Sequence, residues 1–216
     1  KICLKKFLVF ASALAVILAL AGCDPDNRHT NEHEMNAKPV LYLYPETDME
    51  IRVELAYDGE LTCTYPAYRE GWHVQAQPDG TLKDWNTGRE YSYLFWEGIC
   101  DAQYDMSEGF VVRGEDTAAF LQETLEEMGL TPKEYNEFIV YWLPKMQDNP
   151  FNLITFQTEA YTEHARLKIT PEPDSVLRVF MVYRPLQDAL ELEAPSIVPF
   201  ERSGFTAVEW GGTEIQ

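Results

Sequence analysis

Between residues 38 and 216 the chain is cut into short runs rich in Val, Ile, Tyr, Phe and Thr, separated by Asp-Gly, Pro-Asp-Gly and proline-containing breaks. Runs at 40–44, 49–56, 60–65, 72–77, 91–96, 109–113, 137–143, 152–157, 165–170, 176–184 and 205–210 read as β-strands on that composition and punctuation. Strands this short bury their apolar residues only by pairing into sheets and stacking those sheets on another layer. The span of 179 residues suits one domain with a substantial core, and it contains no internal repeat and no low-complexity segment.

One helix interrupts the pattern. In "DTAAFLQETLEEMG", Leu121, Leu125 and Met128 recur at helical spacing, Glu123, Glu126 and Glu127 take the solvent side, Asp116 is placed as N-cap, and Gly129 ends the element. Thr131-Pro132-Lys133-Glu134 has the form of a second N-cap with proline at the first helical position, opening a short helix. The aromatic and β-branched "EFIVYWLP" that follows reads as a strand, because Pro144 would break a helix. The fold class is therefore α+β: a mostly antiparallel sheet or two-sheet sandwich with one helical insertion over about 116–136. The stretch "IRVELAYDGELTCTY" predicts a hairpin around Tyr57-Asp58-Gly59. A three-residue loop pairs Leu55 with Leu61, Val53 with Cys63 and Ile51 with Tyr65, keeping one face apolar.

The first 22 residues read as a leader: Lys1, Lys5 and Lys6 precede an apolar run from Phe7 to Leu20 that is short for a membrane span. Leu20-Ala21-Gly22-Cys23 resembles the lipobox of bacterial lipoproteins. That resemblance implies cleavage before Cys23, lipid attachment to its thiol and placement in the cell envelope, with the membrane as a partner through the anchor. Residues 23–37 are polar and read as a flexible tether, within which His29 and His33 are solvated linker. Losing the three leader lysines takes the formal net charge from −19 to −22. Such a surface repels phosphate backbones and anionic headgroups, which excludes nucleic acid as a partner. Cys63 and Cys100, 37 positions apart, are disulfide candidates in an oxidising compartment, with two buried free thiols as the alternative.

Two glutamates beside tryptophan carry the chemical question. "YSYLFWEG" places Glu97 after Trp96 at the end of a strand apolar on both faces, and "VEWGG" places Glu209 before Trp210. Two carboxylates in different environments, with tryptophan platforms for sugar rings, are the apparatus of glycan hydrolysis. The 112 positions between Glu97 and Glu209 do not show that they meet, and each could simply solvate a strand end or pair with an arginine. No metal is assigned: a calcium set of Glu97, Asp101 and Asp105 lacks ordered loop spacing, and His73 and His164 belong to no zinc motif. No organic cofactor is implied either, since neither a glycine-rich phosphate loop nor a nucleophile elbow appears. Tyr42, Tyr44, Tyr65 and Tyr68 stand near prolines, and tyrosines exposed on a sheet are one way that glycan- and peptide-binding modules hold ligands.

The segments "KPVLYLYPE", "YSYLFWEG", "NEFIVYWLPKM", "LRVFMVYRPL" and "SGFTAVEWGG" together resemble a group of exported bacterial proteins with no established activity. The resemblance implies export and supplies no catalytic residue. The sequence thus points to a lipid-anchored envelope protein whose domain binds a glycan, a peptide or another envelope protein without catalysis. A carboxylate-dependent glycan hydrolase using Glu97 and Glu209, and a structural accessory subunit, are the alternatives.

Overall fold

A computed structural model describes residues 34–216, so the leader, Cys23 and its lipid attachment, and most of the tether lie outside the described residues. The first strand, β1, runs Glu34–Tyr44, and the last four residues assigned to the tether are therefore strand. Then follow β2 (Met49–Tyr57), β3 (Glu60–Tyr65), β4 (Trp72–Ala76), β5 (Leu82–Asp84), β6 (Glu90–Tyr91), β7 (Leu94–Cys100) and β8 (Phe110–Arg113). After a turn of 3-10 helix come α1 (Thr117–Glu127), α2 (Pro132–Met146), β9 (Phe151–Phe156), α3 (Thr158–His164), β10 (Ala165–Thr170), β11 (Ser175–Leu186) and β12 (Thr206–Glu214).

The strands form two sheets, seven-stranded in the order β3-β7-β1-β12-β11-β9-β8 and five-stranded in the order β10-β2-β4-β5-β6. Every pairing is antiparallel except β11 with β12, whose connection is the long segment 187–205. The large sheet is covered on both faces. Leu41, Leu43, Leu94, Trp96, Phe180 and Val182 face the small sheet, meeting Ile51, Val53, Trp72 and Val74. Val40, Tyr42, Met181, Val208 and Trp210 face the other way, onto Leu121, Leu125, Phe138 and Trp142 of the two helices. The α+β class holds, as three layers: small sheet, large sheet, helix pair.

Three local expectations are corrected. The predicted hairpin does not form: β2 pairs with β10 and β4 in the small sheet, while β3 pairs with β7 in the large one. The chain changes sheets at Asp58-Gly59, where a side chain on Gly59 would lie 2.2 Å from the Ile99 carbonyl oxygen. Residues 137–143 are not a strand but the body of α2. Tyr135, Phe138, Trp142 and Met146 fall on one helical face and are buried, and Glu134 accepts the Thr131 N–H at 2.7 Å to close the first turn. Pro144 is tolerated because it lies in the last turn, and the carbonyl it deprives of a partner belongs to Val140, which is 75 % exposed. The stretch 91–98 is not one strand either, since β6 closes the small sheet at Tyr91 and β7 starts in the large sheet at Leu94.

The glycines of the two Glu-Trp motifs serve packing. A Cβ on Gly98 would stand 2.4 Å from the Tyr57 ring, and one on Gly212 would stand 2.9 Å from the Trp142 indole. Both aromatic rings approach the strand backbone this closely because no side chain projects there.

Candidate functional site

The glutamates singled out from the sequence do not converge. Trp96 and Glu97 are successive strand residues and so point to opposite faces of the large sheet. Glu209 joins Trp96: the indole Nε1 donates to Glu209 Oε1 at 3.3 Å. The other oxygen of Glu209 accepts from Arg178 Nε at 2.7 Å, and Arg178 Nη2 lies 2.6 Å from it. This pair is inside the sandwich, Glu209 being 1 % exposed. Glu97 lies on the helix-facing side, where its carboxylate accepts the Lys38 N–H at 3.3 Å. Lys38 occupies a bulge of β1 with a left-handed φ of 51°, and its ammonium lies over the Tyr141 and Trp210 rings. Burial lowers the Lys38 pKa, against the opposing pull of Glu137 and Glu97. Each glutamate thus has the other motif's tryptophan on its side of the sheet. Two carboxyl groups separated by a sheet cannot flank one glycosidic bond. Trp96 and Trp210, at 1 % and 0 % exposure, are core residues and offer no surface to a ligand.

The cysteines do not bridge. Cys63 is exposed on β3 opposite Glu97, and Cys100 is buried three residues further along β7, with no disulfide between them. Among the described residues no group of three or more His, Cys, Asp or Glu side chains is placed to hold a metal, and Glu97, Asp101 and Asp105 are not brought together as one. Asp105 instead accepts the Ser107 N–H at 2.9 Å. His73 bonds Glu50 at 2.7 Å, and His164 sits 3.6 Å from Asp58.

One concave feature among the described residues lies at the small sheet. An open groove of about 750 Å³ runs between the start of β4, the connection 66–71 and the turn 84–88. Its size falls within the roughly 300–1,000 Å³ usual for ligand sites. Each wall is held by local chemistry. β4 begins at Trp72 opposite Val53, so on that side the backbone of Leu55 has no strand beside it. The Tyr68 hydroxyl takes that place, accepting the Leu55 N–H at 2.9 Å and reaching its carbonyl at 3.3 Å. Trp72 Nε1 donates to the Pro66 carbonyl at 2.8 Å, and the Tyr68 and Trp72 rings meet edge to face at 4.7 Å. Gly71, at φ 131°, lets the loop approach within 2.9 Å of the Val53 carbonyl, measured from where a Cβ would be.

The opposite wall is the turn Asp84-Trp85-Asn86-Thr87-Gly88. Asp84 Oδ1 accepts from both the N–H and the hydroxyl of Thr87 at 2.7 Å, and the Gly88 N–H donates to the Asp84 carbonyl at 2.8 Å. Trp85 donates its N–H to the His73 carbonyl and stacks its ring on the His73 imidazole at 4.9 Å, which leaves the indole 57 % exposed beside the groove. Tyr65, which lines the groove, is 59 % exposed. Arg52, Arg69 and Asn86 line the floor and sides as hydrogen-bond donors. Of the three lining carboxylates, Asp84 is engaged within its turn, Glu54 pairs with Lys168 at 2.8 Å, and Glu70 belongs to the 66–71 connection. Tyrosine rings, guanidinium groups and an amide around an open groove, with an exposed indole on the adjoining turn, are groups suited to a polar ring, whose apolar C–H faces can lie on aromatics while its hydroxyls bond the polar groups.

Of the four tyrosines noted in the sequence, Tyr65 reaches this site as a contact surface, Tyr68 as scaffold, and Tyr42 and Tyr44 belong to the helix-facing core. Sequence reasoning passed over Trp85, Arg52 and Arg69. The signal for Trp85 was local: Asp followed by Thr at the third position and Gly at the fourth is a self-capping turn, and a tryptophan inside such a turn is held outward.

The chain is 36 % identical over 97 residues to a protein of Butyrivibrio fibrisolvens described as "Uncharacterized protein in bglA 3'region"; the match takes in 44 % of this chain and 97 % of that protein. No family model matches the chain. No solved structure matches it.

Proposed function

We propose, for a chain that belongs to the same family as the uncharacterized Butyrivibrio fibrisolvens protein, the role of a lipid-anchored envelope protein whose domain binds glycan, without cleaving it, in the groove that Tyr65 lines and the 84–88 turn borders. The observation that carries this reading is the placement of two large aromatics. Among the described residues six large hydrophobic side chains are exposed; of the two aromatics in that set, Tyr65 lines the groove and Trp85 sits in the turn whose Asp84, Asn86 and Thr87 line it. An exposed aromatic held in a rigid turn is informative because burial would otherwise be favoured by about 1.5–3 kcal/mol for a large apolar side chain.

Binding without hydrolysis is supported by the separation of Glu97 from Glu209 on opposite faces of the large sheet. The lipobox-like Leu20-Ala21-Gly22-Cys23 supports the anchor. A glycan array probed with the soluble domain tests the groove: retention of at least one polysaccharide class, with no release of reducing sugar, is the expected outcome, and an array without signal would remove the reading. Membrane fractionation tests the anchor separately. Cys23→Ser moves the protein from the membrane to the soluble fraction, and a variant that stays with the membrane rules out anchoring through that residue.

A further inference from the structure

Tyr65 and Tyr91 pack edge to face at 5.2 Å, interplanar angle 80°, and stand as a ridge. On the far side of that ridge lies a second hollow of about 470 Å³, which takes Tyr65 and Tyr91 as one of its own walls. It is lined further by Ser92, Tyr93, Glu90 and Glu137. Two hollows that share a wall of exposed aromatic ring form one continuous surface, and each alone is within the usual range of about 300–1,000 Å³ for a ligand site. Their chemistry differs. The first hollow sets Arg52, Arg69 and His73 beside Glu54, Glu70 and Asp84, whereas no basic side chain lines the second, where Glu90 and Glu137 alone supply the charge. Glu137 is held in place as acceptor of the Tyr42 hydroxyl at 2.8 Å.

Resting on the glycan reading above, we infer that the ligand is an extended neutral glycan lying across the Tyr65–Tyr91 ridge, with consecutive units in both hollows. A single sugar or a disaccharide end fills one hollow and leaves the other wet. A longer chain fills both, and the second hollow gains from the first by effective concentration. Carboxylates in the second hollow repel uronic acids there, so an acidic chain gains nothing by crossing.

The test is a length series by isothermal titration with the full globular domain, using oligomers of one to six units from a glucan, a xylan, a chitin and a galacturonan. In at least one neutral series, affinity rises roughly tenfold or more between an oligomer that fills one hollow and one that fills both, then levels off. The galacturonan series shows no such rise. Ser92→Trp, at an exposed position of the second hollow alone, lowers the long neutral oligomer to the affinity of the short one and leaves the short one unchanged. Affinity that is flat with length in the wild type, with binding still abolished by Tyr65→Ala, overturns the two-hollow ligand and leaves the groove reading intact. A galacturonan series that rises as steeply as a neutral one overturns the neutral assignment. If none of the four series binds, the groove reading fails and this inference fails with it.

Discussion

Replacing Glu209 by glutamine leaves the Arg178 guanidinium, 11 % exposed, with its charge inside the sandwich and no counter-charge. Removing one partner of a buried ion pair costs about 3–5 kcal/mol, because the remaining charge has lost its water and keeps its desolvation penalty. Glu209→Gln should therefore lower the midpoint of urea unfolding by the equivalent of that energy. The double change Arg178→Met with Glu209→Leu should recover most of the loss, since apolar replacements need no partner. An unfolding curve for Glu209→Gln that overlays the wild type would show that the pair carries no stability. The pairing of Trp96 with Glu209 also accounts for the chemistry that the sequence seemed to promise. A glutamate beside tryptophan in a strand is a carboxylate that bonds an indole across the sheet, not one that waits for substrate. Sequence adjacency misled here because neighbours along a strand face opposite ways. The true companion of Glu209 is the tryptophan 113 positions away.

At the scale of elements, most strands were legible, and β3 and β10 match their expected bounds residue for residue. Their composition is local information, and local pairing energetics follow it. Their partners were not legible. The alternation of β2 and β3 fitted a hairpin, yet β2 pairs with β10 more than a hundred positions later, because burying Ile51, Val53 and Leu55 against the large sheet outweighs the short loop. In α2 the aromatic bias toward strand lost to a helical stripe of Tyr135, Phe138, Trp142 and Met146, supported by the N-terminal turn. That turn is tied into the tertiary structure. Glu134 is fully buried, accepts the Thr131 N–H and pairs with both guanidinium nitrogens of Arg202, which also donates to the Gly129 carbonyl at 2.8 Å. Glu134→Ala removes a helix cap and an ion-pair partner together and should destabilise by about 3 kcal/mol, near the lower end for a buried pair because Arg202 is 25 % exposed. Thermal unfolding checks this, with a fall of several degrees expected. Of the groove, the sequence disclosed Tyr65 but not its setting. The site is assembled from β2, the 66–71 connection and the 84–88 turn, and only the sheet order brings these together.

At the scale of the whole molecule, the two sides of the large sheet bury an unusual amount of phenol. Burial raises the pKa of Tyr42, Tyr44, Tyr93, Tyr141, Tyr161 and Tyr183 above the ordinary value of 10.0, and nearby carboxylates such as Glu137 and Glu214 raise several of them further. A tyrosine whose pKa is higher folded than unfolded stabilises fully below pH 10, and that contribution is lost as pH rises through the unfolded value toward the folded one. Lys38 acts in the opposite sense, its lowered pKa adding stability as pH climbs toward its ordinary value of 10.5. Six phenols outweigh one amine, so stability should fall steeply above about pH 10. Phenolate absorbance from these six should then appear together with unfolding instead of titrating smoothly. A smooth titration in a protein that stays folded would contradict the burial described for them.

The chain is acidic overall, and the groove balances Arg52, Arg69 and His73 against Glu54, Glu70 and Asp84 around Tyr65, with Trp85 on the adjoining turn. The binding account rests on those two rings. Base–aromatic stacking in other recognition surfaces contributes about 1–3 kcal/mol per ring, and comparable stacking of a sugar face would weaken affinity by roughly tenfold or more when either ring is removed. Neither ring belongs to the buried core, so their loss should leave the fold unchanged. The most direct measurement is isothermal titration of the polysaccharide retained on the array into wild type, Tyr65→Ala and Trp85→Ala, each first shown to unfold at the wild-type temperature. The account predicts that each substitution weakens binding by roughly tenfold or more and that the double variant binds nothing measurable. Wild-type affinity in both single variants would place the ligand elsewhere and contradict it.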